Sequence, residues 1–217
     1  MIDTLESALR IAGGAGLLTA WVIAGTAASR GRHRRPGRGF GLAPRLGALV
    51  SYLLVAIPYF TVWVLLWIPL PGTPPAWLRL AALVIGAVLG SCGLALYLWG
   101  RITLGDMYNV SSSLGTELYA GHQLITAGPF RYVRHPMYVG IGLAALGGLA
   151  VYRTWTMAFA VVSVAGLRIK ARHEERLLAA EFGSVWSEYA GRVPAWWPRL
   201  VAPRRVPVHQ KGGDRHD

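Results

Sequence analysis

The fold is decided by one long apolar run, residues 77–99, with the sequence WLRLAALVIGAVLGSCGLALYLW. Its single charged residue, Arg79, lies near the beginning of the run. A helix of this length crosses the ~30 Å hydrocarbon core of a bilayer. The glycines at 86, 90 and 93 place small residues on one side of that helix, which favours close contact with a second helix. This run therefore predicts a packed transmembrane helix.

The segments around this run are also poor in charge. Arg79 is the only charged residue between positions 46 and 100, and Arg153 is the only one between 135 and 167. We therefore predict an all-α polytopic membrane protein with about five spans, at residues 9–28, 46–70, 77–99, 136–150 and 154–167. The last two are short, so we expect a tight helical hairpin that inserts as a unit.

A cleaved signal peptide is the alternative interpretation of the first span. Asp3 and Glu6 precede the apolar segment, against a single basic residue, Arg10. Signal peptides begin with a positively charged region, so this pattern favours a span that is retained.

The composition excludes several other classes of protein. Of the 217 residues, 53% are hydrophobic and 15% are charged, and the mean hydropathy is +0.40. Soluble domains carry about 25% charged residues, and disordered chains lack such long apolar runs. Cys92 is the sole cysteine, which excludes an internal disulfide and a cysteine-based zinc site. Histidines 122, 135 and 173 with Glu174 show no metal-ligand spacing, so we predict no metal.

Topology explains the net charge of +12 better than a nucleic-acid partner does. Residues 29–45, 101–134 and the C-terminal region are rich in arginine, whereas the turn at 69–75 has no charge. The positive-inside rule then puts the N-terminus outside and the C-terminus in the cytoplasm of a multi-pass protein, which we expect in a bacterial plasma membrane. An anionic-lipid or nucleic-acid patch remains the alternative for residues 29–45.

The C-terminal part of the chain divides into two regions. Residues 168–191 predict an amphipathic, water-facing helix with an apolar stripe at Leu178, Phe182, Val185, Trp186 and Tyr189. Residues 201–217 are basic and rich in Pro and Gly, and we expect a mobile tail.

Polar residues concentrate at 121–140 and 168–181, which the topology puts on the same side of the membrane. Pro136 is suited to the first position of a helix, whose free N–H groups, with Arg134 beside them, suit a carboxylate. The aromatic residues Phe130, Tyr132 and Tyr138 offer faces for a purine or a small cation.

These stretches also resemble a known family. The sequence GPFRYVRHPMYVG at 128–140, followed by HEERLL at 173–178 and Phe182-Gly183, resembles the isoprenylcysteine carboxyl methyltransferases and their phospholipid methyltransferase-like relatives. The resemblance covers residues 100–198. It implies a single integral membrane domain over 1–217, with a cofactor region at 101–140 and 168–198. It further implies S-adenosylmethionine as cofactor and a lipophilic small molecule or lipid as substrate, entering from the bilayer.

The resemblance also implies roles for individual residues. Those it assigns to the cofactor are His122, Gln123, Leu124, Ile125, Phe130, His135, Tyr138 and Glu174. From the helix start we add Arg134 and Pro136 to the cofactor site, and we expect Glu174, Lys170 and Arg172 to act on the substrate and in catalysis. Lys170 stands where the carboxyl methyltransferases have an arginine, and a lysine lacks the bidentate fork that an arginine offers to a carboxylate. We expect Glu174 to face the pocket and Glu175 to point towards water.

Three classes of function remain open from the sequence. They are a lipid-directed methyltransferase, a transporter and a membrane scaffold. A transporter is expected to carry ionisable residues at mid-membrane, whereas Arg79 and Arg153 lie near the ends of their segments. Carboxylate, amine and thiol acceptors are all compatible with the sequence, as is any oligomeric state.

Overall fold

A computed structural model describes residues 1–31, 36–41, 48–108, 115–119 and 121–198. The predicted tail at 201–217 and parts of the 29–45 region lie outside these residues. Short 3-10 turns lie at Gly105–Met107, Gly128–Arg131 and Val164–Gly166. The helices are α1 (Ile2–Gly31), α2 (Ala48–Leu65), α3 (Ala76–Leu104), α4 (Pro136–Tyr152), α5 (Trp155–Ser163), α6 (Leu167–Phe182) and α7 (Ser184–Arg192).

The core of the fold is the contact between α3 and α4. A Cβ atom on Gly93 would lie 2.5 Å from the carbonyl oxygen of Gly140, and one on Gly147 would lie 2.5 Å from the amide nitrogen of Gly90. A Cβ on Gly86 would likewise lie 2.8 Å from the carbonyl oxygen of Gly147. Glycine is the only residue that allows such an approach of two backbones. The prediction that glycines of residues 77–99 serve helix packing is confirmed for Gly86 and Gly93, whereas a Cβ on Gly90 would meet nothing within 4 Å.

The five predicted spans are supported to different extents. Among the described residues, α3 is the one helix with both the length and the hydropathy to cross a bilayer, while Leu53–Leu65 and Pro136–Tyr152 are apolar but shorter. Large apolar side chains on α2 and α3 are exposed, as Ile57 is by 63% and Val88 by 57%, which fits a surface that faces lipid. The number of five spans stays a prediction.

The predicted hairpin is present, but its second arm does not end where expected. Arg153, in the left-handed conformation (φ 50°), caps α4 before α5 begins. Beyond α5, a 3-10 turn with right-handed backbone angles leads straight into α6, so the chain stays helical over residues 155–182. The predicted boundary at residue 167 is a change of polarity and not a break in the backbone.

The single amphipathic helix predicted at 168–191 is wrong. Gly183, with φ of 52°, separates α6 from α7. The predicted stripe is therefore only partly correct: Trp186 and Tyr189 are buried, but Val185 is 60% exposed. On α6, Leu177 rather than Leu178 is buried.

The predicted all-α class is supported, and one short β ribbon is added to the helices. Strand β1 (Pro36–Gly41) pairs antiparallel with β2 (Gly115–Tyr119), and Gly39 lies opposite Glu117. The β1 segment PGRGFG contains three glycines and a proline, which disfavour a helix, so its backbone groups are paired in a ladder instead. This ribbon places the segment after α1 at the same end of the molecule as the segment after α3.

Replacing Gly93 with Ala is expected to lower the free energy of unfolding by about 1–3 kcal/mol, because the new methyl group overlaps the backbone of α4. Gly90 is the matched control, since a Cβ there meets nothing within 4 Å. Gly90→Ala should be neutral or stabilising by up to about 1 kcal/mol through helix propensity. Thermal unfolding in detergent checks both variants, and equal effects would contradict the packing argument.

Candidate active site

A partly buried charge cluster fixes α6 against the beginning of α4. The Oε1 atom of Glu175 accepts a hydrogen bond from Nε of Arg134 at 3.0 Å and lies 2.8 Å from Nε2 of His135. The contact with His135, and then the charge of Arg134, hold the pKa of the Glu175 carboxyl below its usual range against the opposing effect of burial. The expectation that Glu175 points towards water is therefore wrong.

The segment after α7 covers the first turn of α4. Nη1 of Arg134 donates to the carbonyl oxygens of Ala190 at 2.7 Å and Val193 at 3.1 Å. The backbone N–H groups of Arg134 and His135 donate to Pro194 and Ala195 at 2.9 and 3.1 Å. Arg134, predicted to orient a cofactor carboxylate, thus contacts the protein's own backbone and positions this segment.

The side chain of Tyr138 joins α4 to α6. Its hydroxyl donates a short hydrogen bond of 2.5 Å to Oε1 of Glu174. Its ring stacks on that of His135, with the centroids 5.5 Å apart, and lies 6.3 Å from that of Trp196. Tyr138 and Glu174, two predicted site residues from separate motifs, are thereby brought into contact. The rings of His135, Tyr138 and Trp196 form an aromatic wall beside this contact.

Lys170 and Tyr108 extend this cluster. Nζ of Lys170 lies 5.7 Å from the centre of the Tyr138 ring. Burial lowers the pKa of the Lys170 ammonium, and the nearby Glu174 carboxylate opposes that effect in part. Burial also raises the pKa of the Tyr108 hydroxyl, and the nearby side chains of Tyr97 and Glu174 add to this effect. The site therefore combines tyrosine hydroxyls, one carboxylate and one amine, and burial disfavours the charged forms of Lys170 and Tyr108.

The predicted cofactor loop at 122–125 packs against the ends of α3 and α6. The ring of His122 lies 6.3 Å from that of Phe182, and the amide of Gln123 donates to the sulfur of Met107 at 3.4 Å. Burial lowers the pKa of His122. Within the described part of the chain, its Nδ1 is buried and has no hydrogen-bond partner. An orphaned polar atom of this kind suits a ligand that supplies the missing partner.

The remaining predicted residues differ in how far they are buried. Leu124 and Ile125 are half-buried in the loop, whereas Phe130 and Pro136 are buried. The backbone oxygen of Phe130 accepts a 2.7 Å hydrogen bond from Tyr189. Arg172 is exposed on α6. Among the described residues, no group of three or more potential metal ligands comes together.

Sequence reasoning missed three members of the site. Glu175 is predicted to point towards water because its neighbour Glu174 is predicted to face the site, and residues adjacent on a helix point about 100° apart. Tyr108 lies in a polar segment without periodicity, and Trp196 follows α7 in a proline-rich stretch. One feature of the sequence could have indicated Trp196. Trp196 and Trp197 lie between two prolines, and such a stretch is typical of a segment that packs without forming a helix.

Comparison with known proteins confirms the resemblance found in the sequence. Residues 81–185 match the family described as phospholipid methyltransferase. Similar proteins include methanethiol S-methyltransferase 2 of Bradyrhizobium diazoefficiens, 36% identical over 42% of this chain and 35% of its own length. A cobalt-zinc-cadmium resistance protein of Cupriavidus metallidurans is 41% identical over 36% of each chain. Protein-S-isoprenylcysteine O-methyltransferase of Schizosaccharomyces pombe is 29% identical over 52% of this chain and 49% of its own.

The matched region carries most of the cluster described above. Residues 81–185 include most of α3, all of α4 and α6, and the loop at 122–125. Trp196 and the segment that covers the beginning of α4 lie beyond it. The chain spans between about a third and a half of the length of these curated relatives.

Glu175→Gln is expected to lower the free energy of unfolding at pH 7 by about 2 kcal/mol, because it removes the charge from two partly buried hydrogen bonds. Glu188→Gln is the control, since Glu188 and its partner Arg192 are 69% and 52% exposed and such pairs contribute little.

The effect of Glu175→Gln should depend on pH in a defined direction. Because the folded-state pKa of Glu175 is lowered, its contribution is complete above the ordinary value of 4.5 and is lost as the pH falls through the folded-state pKa. The difference in melting temperature between wild type and Glu175→Gln should therefore shrink below about pH 4.5. A difference that grows with acid would contradict this assignment.

Proposed function

We propose that this chain is an integral membrane methyltransferase that uses S-adenosylmethionine and acts on a lipophilic acceptor. The observation that carries the proposal is the hydrogen bond between Tyr138 and Glu174. It joins the two motifs on which the family resemblance rests, next to the aromatic rings of His135 and Trp196 and the half-buried amine of Lys170. A packing role alone does not require an acid, an amine and tyrosine hydroxyls at one place.

The residues present fit the proposed cofactor chemically. When bound, S-adenosylmethionine supplies a methyl group on a positively charged sulfur. The faces of Tyr138 and Trp196 suit such a cation, and Glu174 suits its amino group. His122, whose buried Nδ1 has no hydrogen-bond partner among the described residues, suits a polar edge of the same molecule. Arg134 and His135 would act as positioning residues, because they hold the segment on which the aromatic wall depends.

Tyr138→Phe is expected to weaken binding of S-adenosylmethionine by about tenfold or more, since it removes a hydrogen bond to a charged group beside the proposed cofactor site. Calorimetric titration of the detergent-purified protein with S-adenosylmethionine and S-adenosylhomocysteine measures this effect. Tyr132→Phe is the matched control, because Tyr132 belongs to the same motif but is 52% exposed. Absence of binding to the wild type at millimolar cofactor would contradict the proposed function.

Lys170 is the residue proposed to meet the acceptor. It lies on the same helix face as Glu174, one turn earlier, and is half-buried against the ring of Tyr138. Lys170→Met should therefore raise the KM for the acceptor by about tenfold or more while leaving the Kd of the cofactor near the wild-type value. Arg176→Gln, at an exposed position of α6, is the control. If Lys170→Met raised the Kd of the cofactor as much as the KM for the acceptor, Lys170 would belong to the cofactor site instead.

A thiol acceptor is a specific second candidate. Burial lowers the pKa of Lys170, which favours a neutral amine that accepts the proton of a thiol before the sulfur attacks the methyl group. The pH dependence of kcat/KM over about pH 6 to 10 separates the two roles. An ammonium that holds a carboxylate makes kcat/KM fall as the pH rises through the pKa of Lys170, whereas an amine base makes it rise. Lys170→Met should abolish either slope.

We place this site on the cytoplasmic side of the membrane. Support comes from the ribbon of β1 and β2, which brings the arginine-rich segment after α1 to the same end as the site. A periplasm-active reporter fused after residue 200 should then be silent, and strong reporter activity would reverse the orientation.

A further inference from the structure

A cavity lies at the end of α3 remote from the candidate active site. It has a volume of about 910 Å³ and is lined by Arg10, Arg79 and Arg153 together with Trp67 and Leu70. Arg79 lies in the first turn of α3, and the 29 residues of this helix span about 40 Å. The cavity therefore belongs to the opposite membrane boundary and shares no residue with the site described above.

One buried carboxylate gathers the three arginines. Glu6 is 6% exposed, and its oxygens lie 2.7 Å from Arg79 and 2.6 Å from Arg10, and also contact Arg153. Asp3, 86% exposed, contacts Arg79 from the solvent side at 2.7 Å. Among the described residues, three guanidinium groups thus share two carboxylates, and one positive charge is left in excess.

The hydrogen-bonding capacity of these arginines is not used up. Nε of Arg79 and Nη1 of Arg153 are buried and have no hydrogen-bond partner within the part of the chain that the structure describes. Arg153 is also held rigidly, because its left-handed backbone caps α4 and its carbonyl oxygen accepts a 2.8 Å hydrogen bond from Leu70. Arginines that line a cavity and whose donors are not all paired favour binding of an anion.

We propose that this cavity binds a phosphate group at the head of an amphipathic ligand, with the phosphate against Arg10, Arg79 and Arg153. The planar guanidinium fork matches the oxygens of a phosphate. Trp67, Leu70 and the prolines of the same wall offer apolar surface to the part of the ligand that follows the phosphate. A membrane phospholipid and free inorganic phosphate share the recognised group, and the experiment distinguishes them.

The test uses the full-length protein in detergent. Native mass spectrometry measures adducts with dioleoylphosphatidylglycerol and with dioleoylglycerol, which has the same chains but no phosphate, and calorimetry measures binding of inorganic phosphate. We expect saturable binding of the phospholipid and none of dioleoylglycerol. Binding of inorganic phosphate as well would show that the phosphate alone suffices, whereas its absence would assign the site to the lipid.

Two variants should shift the affinity in opposite directions. Arg79→Gln should weaken binding by about tenfold or more, whereas Asp3→Asn should strengthen it, because the Asp3 carboxylate competes with the ligand for Arg79. A general loss of folding cannot produce both results. Arg10→Gln replaces Arg79→Gln should the latter fail to fold, and Arg192→Gln, at a distant exposed ion pair, controls for the loss of one charge.

Three results would overturn the proposal: equal binding of dioleoylglycerol, no saturable binding of any phosphate probe, or affinities that do not change in the cavity variants. Methyl transfer and cofactor binding by the same variants are measured in parallel and should stay at the wild-type level. Failure of this proposal is thus distinguishable from failure of the proposed function.

Discussion

The contact of the α3 backbone with the α4 backbone sets the position of the rest of the molecule. A Cβ on Gly140 would lie 2.6 Å from the carbonyl oxygen of Gly93 and 2.9 Å from the amide nitrogen of Tyr97. Tyr97 follows Gly93 by about one turn, and Tyr138 precedes Gly140 by two residues. The relative height of these two tyrosines is therefore fixed by atoms of the main chain, which leave little room for adjustment.

Glu175 then determines how α6 meets this pair of helices. Its carboxylate is held at the level of the α4 cap by Arg134 and His135. The neighbouring carboxylate of Glu174 reaches Tyr138, almost one turn further into α4. Two adjacent glutamates both face α4 because they bind groups at different heights of that helix. The directions of the side chains on α6 alone do not reveal this, because α4 runs past α6 and offers binding groups at more than one height.

The sequence predicts the features that depend on local pattern. The apolar run at 77–99, its glycines and the hairpin turn at Arg153 follow from hydropathy, residue size and spacing. The break at Gly183 and the pairing of β1 with β2 depend on how distant segments meet, as does the partner of Glu175. For the site, the motifs supply Tyr138, Lys170 and Glu174, whereas Tyr108 and Trp196 reach the cluster only through the tertiary fold.

The distribution of charge also bears on the class of function. In the described part of the chain, the ionic clusters of Glu6 and Glu175 lie at opposite ends of the bundle. Between these two ends, α3 and α4 contact each other through glycines and apolar residues. A pathway for ions or polar solutes needs ionisable or polar groups along its length. An enzyme that takes an acceptor from lipid needs them only where α4 begins. There, Tyr138 is followed within one turn by Ile141, which is 37% exposed. On the proposed function, this step from polar side chains to an exposed apolar side chain is where the apolar part of the acceptor would lie.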